Sequence, residues 1–292
     1  MAQGFCAANY EGAPGRLSQY RQSAAIVAKR QRREWAESGE PQVSLMGKSK
    51  MTSYSPMIAV IGGTGAQGSA IALRLGHAGY RVVIGTRDAA KGGRITAELN
   101  KILGADAIEF LGNAEAAKTA DIVILTVPYA AEQTAVREMT AVLEGKILID
   151  ATAPLVPPTV SNVQLPSGGS AVAEIQRMLG DKVRVVSAFQ NVAAHKLRQL
   201  GADVECDVLV CGDDIEARSI TRELISRMGL RALDAGPICN SAAAEALTSL
   251  LIFFNRKYRV SGSGIRITGL DESGKEPKSS GDTAAKTKKQ AE

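Results

Sequence analysis

Residues 63–68, Gly-Thr-Gly-Ala-Gln-Gly, space three glycines as GxGxxG directly after the apolar run 57–61. Glycines at this spacing let the chain turn sharply after a strand, bring its backbone against a ligand, and pack the following helix close to that strand. The start of that helix offers unpaired N–H groups and the positive end of its dipole, a receptor for pyrophosphate. Gly63, Gly65 and Gly68 are read as the turning, approach and packing positions of a dinucleotide cradle.

The end of the second strand selects the nucleotide. An NAD site places Asp or Glu there for the ribose hydroxyls. This chain has Thr86 and Arg87, with Lys91 a helical turn on. A hydroxyl donor, a guanidinium fork and a second cation suit a 2′-phosphate, so the preference is NADP(H). Asp88 falls late for the NAD acid, and only a register shift would restore that role. After the fourth strand, Val127 and Pro128 are placed along the cofactor's adenosine or nicotinamide ribose, where the C-terminal ends of parallel strands face ligand.

Acid–base candidates are few. Of two histidines, His77 ends a helix, and His195 is the better functional candidate, with a structural role preferred. Asp213 and Asp214, between a strand and a helix, are read as caps, and Asp234 as a turn residue. Cys6, Cys206, Cys211 and Cys239 show no CxxC pair or His spacing for a metal, so reduced thiols are expected.

These groups need positioning elements, and the pattern alternates strand and helix. Strands are expected at 57–61, 81–84, 107–110, 121–127, 146–150 and 183–188, with helices at 69–78, through about 103, at 130–143 and at 171–179. This is an α/β, Rossmann-type, doubly wound parallel sheet. A smaller C-terminal α/β part follows: strands 207–210 and 230–233 around a helix at 215–228, a long helix 241–257, and a short strand at 264–268. The expected divisions are an extension at 1–55, with a short helix near 23–35, a nucleotide-binding domain at 56–190, a small domain at 191–270 that completes the cleft, and a polar tail at 271–292. Both ends are expected to lack fixed structure. Met51 and Met57 sit at the edge of the first strand, and one hypothesis is that translation starts at one of them, the first fifty residues otherwise being a dispensable extension.

Composition bounds the rest. The net charge of +5 resides mostly in residues 1–50, with a surplus of four positive charges. The tail 271–292 is balanced, so the central part is nearly neutral and a nucleic-acid partner is not indicated. Apolar runs are too short to cross a membrane and no signal segment is read, so the expected location is cytoplasmic. Residues 249–254, SLLIFF, are too apolar for a solvated helix face, and a homodimer is expected.

The stretches IAVIGGTGAQGSAIALRL, VVIGTRDAAK, DIVILTVP, VVSAFQNVAAHKL, DVLVCGDD and LRALDAGPICNS resemble the F420-dependent NADP oxidoreductase family over about residues 57–268. CGDD followed by LDAGPxxNS is the more specific part. The resemblance implies hydride transfer between NADPH and the deazaflavin coenzyme F420, in a cleft between a Rossmann domain and a small C-terminal domain, commonly in a dimer. It implies Thr64, Gly65, Ala66 and Gln67 on the pyrophosphate, and residues 188–194 at the nicotinamide and deazaflavin rings. Within that stretch, Ala188 lies on the cofactor side, with Gln190, Asn191, Val192 and Ala193 toward the substrate. Pro237, Asn240 and Ser241 are implied to close the far side. Gln190 and Asn191 depart from a His-Thr pair in archaeal members, which bears on the second substrate.

Transfer between two planar cofactors requires alignment more than an acid, consistent with the scarcity of acid–base pairs. The expected mechanism is apposition, with backbone donors in 188–194 stabilising charge in the deazaflavin. The rival readings are a reductase of another acceptor (flavin, pterin, imine or keto acid) and a non-catalytic NADP(H) sensor. A keto-acid reductase needs a Lys or His proton donor, and Lys196 and Lys257 lack the context for that role.

Overall fold

The computed structural model describes residues 56–270. The expectations for the extension 1–55, its helix near 23–35, and the tail 271–292 lie outside the described residues.

Short strands of apolar, mostly β-branched residues form the centre. In chain order they are β1 (Ile58–Ile61), β2 (Val82–Gly85), β3 (Ile108–Leu111), β4 (Ile122–Leu125), β5 (Ile147–Asp150), β6 (Arg184–Ser187), β7 (Asp207–Gly212) and β8 (Arg231–Asp234). The helices are α1 (Ala66–His77), α2 (Ala89–Leu103), α3 (Asn113–Thr119), α4 (Tyr129–Leu143), α5 (Ala171–Leu179), α6 (Ala194–Leu197), α7 (Ile215–Arg227) and α8 (Ser241–Tyr258). The strands make one sheet in the order β3-β2-β1-β4-β5-β6-β7-β8. β1 pairs in parallel with both β2 and β4, so the chain reverses its winding there and opens a crevice at the strand ends.

Alternation along β1 divides the core. Ile58 and Val60 pack on one face with Ile71 and Leu75 of α1, and Ala59 and Ile61 on the other with Val136 and Met139 of α4. Apolar cover on both faces explains why β1, β4 and β5 read as continuous apolar runs.

Four features differ from the sequence expectations. The first helix begins at Ala66, so the end of the glycine loop is already helical. The alanine-rich α3, which the pattern did not reveal, follows β3. β7 runs antiparallel to β6, joined by Val186–Gly212 and Ser187–Cys211, so the sheet is parallel except at that seam and continues past residue 190 without a break. The strand expected at 264–268 does not form. Asp207 N donates to the Ile265 carbonyl at 2.8 Å, but Ile267 N then donates to the Asp207 carboxylate at 2.6 Å, so a side chain takes the place of the next ladder bond.

Candidate active site

The turn after β1 is built from close approaches. Gly62, not Gly63, carries the left-handed φ of 76°. Gly63 is required for space instead: a Cβ there would lie 2.7 Å from the Val60 carbonyl oxygen and 2.8 Å from Ile84. A Cβ on Gly68 would lie 2.7 Å from the Gly63 Cα, so α1 can start this close to β1 only with glycine at that position. Gly65 caps α1 without a side-chain acceptor, and the first turn has no acid. Its N–H groups therefore face the cleft uncapped, which is the fit an anionic pyrophosphate requires.

Thr64, Gly65, Ala66, Gln67, Thr86, Arg87, Lys91, Val127, Pro128, Gln190, Val192 and Ala193 line one cleft of about 870 Å³. That volume is near the upper end for small-molecule sites and suits a dinucleotide. Arg87 and Lys91 are exposed and neither forms an ion pair among the described residues. Asp88 also lines the cleft, but its carboxylate accepts from Lys91 N at 2.9 Å and caps the start of α2. The acid that a register shift would offer to an NAD ribose is thus a helix cap.

Ala188 and Asn191 lie behind the cleft wall. Ala188 belongs to the core, and the buried Asn191 amide donates to the Asp207 carbonyl at 2.7 Å. Pro237, Asn240 and Ser241 stand outside the lining. Asn240 Nδ2 donates to the Ala235 carbonyl at 2.7 Å, and the buried Ser241 hydroxyl lies 2.6 Å from both the Ile238 carbonyl oxygen and Ser170 Oγ. His195 is exposed outside the lining, with Nε2 3.1 Å from Ser261 Oγ. Asp214 caps α7 through Ala217 N, Asp213 accepts from Ile238 N, and Asp234 holds Arg218 and Gly236 N.

Several lining residues were not singled out from sequence. Gly62, Asn113, Thr152 and Thr248 join the cleft, Thr248 from α8. Only Gly62, in a double glycine, left a local signal.

Phe189 follows β6 into the cleft with φ 75° and a fully buried ring. A bulky residue in the left-handed region stores about 1–3 kcal/mol of strain. Gln67 Nε2 donates to the Phe189 and Val192 carbonyls, 3.3 Å to each.

Beneath the floor, Glu132 of α4 meets Asp150 at the end of β5. Asp150 Oδ1 accepts from Thr152 N at 2.9 Å, while Asp150 Oδ2 and Glu132 Oε1 lack a partner unless a proton lies between them. Burial, and then the Asp150 carboxyl, push Glu132 up to about 10, so the pair retains a proton at neutral pH. Glu245 of α8 is better supplied, accepting from Ser170 Oγ at 2.6 Å, Ala171 N at 2.8 Å and Val172 N at 3.2 Å at the start of α5.

Residues 57–154 match the family described as NADP oxidoreductase, coenzyme F420-dependent. The chain is similar to the F420-dependent NADP reductase of Methanothermobacter marburgensis, 40% identical over 223 residues, which span 74% of this chain and 99% of that protein. It is 38% identical over 222 residues to the F420-dependent NADP reductase of Methanocaldococcus jannaschii, spanning 73% of this chain and 99% of that protein. A crystal structure assigned provisionally as an F420-dependent NADP reductase, from Arthrobacter sp. FB24, superposes with a TM-score of 0.61 at 26% identity, covering 73% of this chain and 99% of the other.

Proposed function

The chain belongs to the coenzyme F420-dependent NADP oxidoreductases, and from that membership we propose how its cleft performs the family's reaction. The protein is an oxidoreductase that passes hydride between NADP(H) and F420. Other acceptors and the sensor reading are not favoured.

The observation that carries the site assignment is one cleft holding three features: the uncapped start of α1, the cations Arg87 and Lys91, and the 189–193 wall. The first-turn amides of Ala66 and Gln67 hold the pyrophosphate, with Thr64 and Gly65 beside it; the Gly65 N–H itself donates to the Gly62 carbonyl at 2.9 Å. Thr86, Arg87 and Lys91 hold the 2′-phosphate, and Val127 and Pro128 border the ribose toward the nicotinamide. Gln190, Val192 and Ala193 face the deazaflavin, with Ala188 and Asn191 supporting them from behind. Asn240 and Ser241 act indirectly: they open α8 and set Thr248, whose hydroxyl donates to the Gln190 carbonyl at 2.9 Å. The part from 191 to 270 completes the cleft in this way.

When bound, the two cofactors supply the hydride donor and acceptor. The chain contributes alignment, water exclusion and backbone donors of the wall around Gln190 and Ala193, the Val192 N–H being already bonded to the Phe189 carbonyl. No histidine lines the cleft among the described residues.

Leu250, Phe253 and Phe254 form an exposed apolar face on α8, and we assign it to a second copy of the chain. By length and composition, the 21 residues Ile238–Tyr258 would suffice to cross a membrane. The buried, hydrogen-bonded Glu245 on this helix, packed against α5, favours a protein environment and a cytoplasmic enzyme.

The test is optical. NADPH added to the protein with oxidised F420 should bleach the deazaflavin's visible band. Bleaching of flavin or pterin but not F420 would overturn the assignment.

A further inference from the structure

The cleft segment after β6 is tied down residue by residue, from different elements. Gln190 Nε2 donates to the Asp150 carbonyl at 2.8 Å, at the end of β5. Thr248 of α8 donates to the Gln190 carbonyl, and Asn191 donates to the Asp207 carbonyl of β7. All three tethers are anchored on the sheet or on α8. The Phe189 and Val192 carbonyls are held differently: the Gln67 amide lies 3.3 Å from each, and the Phe189 carbonyl also accepts from Val192 N at 3.3 Å within the segment itself. Gln67 stands in the first turn of α1, the turn whose backbone faces the pyrophosphate.

This segment does not favour its own shape. Phe189 adopts φ 75°, a conformation suited to glycine and costly for an aromatic residue. Its conformation is kept by burial of the ring and by bonds to its carbonyl, and the Gln67 amide is the donor that reaches that carbonyl from the nucleotide side.

We propose that Gln67 is a positioning residue, which holds the Phe189 and Val192 carbonyls and so presets the wall that faces the hydride-transfer end of the cleft. This rests on the reading that NADP(H) and F420 meet in this cleft. One helical turn then serves two ends of the nucleotide: its backbone N–H groups meet the phosphates, and one of its side chains shapes the wall opposite the ring. Without that side chain, the dinucleotide phosphates keep their contacts while the wall drifts. Hydride transfer is sensitive to such drift because a misplacement of about 1 Å can cost about 10²-fold in rate.

Gln67→Met keeps the side-chain length, removes the N–H donor and adds no charge. In the full-length protein without nucleotide, amide hydrogen exchange in peptides covering 188–193 should quicken by about fivefold or more, with other segments unchanged. NADP⁺ affinity by calorimetry should stay within about threefold, while kcat for F420 reduction falls about tenfold. Gln67→Ala should give the same pattern and serves if the methionine variant does not fold. Unchanged exchange in 188–193 would overturn the proposal. So would weaker NADP⁺ binding with kcat preserved, which would make Gln67 a nucleotide ligand alone. A wild-type protein that bound no NADP⁺, or left F420 oxidised, would instead break the reading of the cleft.

Discussion

Glu132 and Asp150 meet carboxyl to carboxyl under the cleft floor, both nearly sealed from water and neither ion-paired among the described residues. Glu245 and Glu174 add negative charge nearby, from α8 and α5. In the unfolded chain Glu132 returns to the ordinary carboxylate range, so the folded state binds more protons between that range and about 10. Stability is then greatest at the acid side of this window and declines as pH rises toward about 10. Melting temperatures measured from mildly acid to alkaline pH should fall steadily for the wild type. Glu132→Gln, which mimics the protonated acid, should flatten that slope, and an unaltered slope would refute the shared proton.

Arg87 projects from the end of β2 without an acidic partner among the described residues. A charged hydrogen bond to a phosphate contributes about 1.5–3 kcal/mol, so Arg87→Ala should raise KM for NADPH by about ten- to a hundredfold. KM for NADH should barely move. Steady-state kinetics with both nucleotides decide it, and equal changes would remove the 2′-phosphate assignment.

His195 pairs with Ser261 outside the cleft lining. His195→Ala should therefore keep most hydride transfer. General acid–base groups are commonly worth about 10²–10⁴ in rate, so a kcat loss near 10³ would show that proton chemistry passes through this ring.

Phe253 is 46% exposed in the middle of the apolar face of α8. Sedimentation of the wild type should report a dimer, and Phe253→Asp should shift it to monomer with the fold intact by circular dichroism. A monomeric wild type would leave that face without its assigned partner.

What could be read from sequence was what neighbouring residues decide among themselves. The run before Gly63, the glycine spacing and the helix behind it signal one local event, and so do Thr86 and Arg87 at a strand end. The roles within the loop were less legible: the left-handed turn falls on Gly62, whereas Gly63 is constrained by Ile84 from another strand. Contacts between distant segments left no trace. Thr248 reaches Gln190 across 58 residues and Gln67 reaches Phe189 across 122. The reversal at β7 is equally silent, since an apolar strand pairs in either direction, and the missing strand at 264–268 depends on where the Asp207 carboxylate points. The acid pair was invisible because Glu132 resembles any polar residue in the first turn of a helix until Asp150 is placed beneath it.

Asp88 has one more consequence, for anyone wishing to retool the coenzyme choice. Its carboxylate already caps the start of α2 by accepting from Lys91 N, so drawing it onto an adenosine sugar would loosen that helix end. Stripping the cations from this corner would leave an enzyme poor with both nucleotides. Converting it to the unphosphorylated one requires a newly introduced acid at Thr86, with Asp88 left to its present duty.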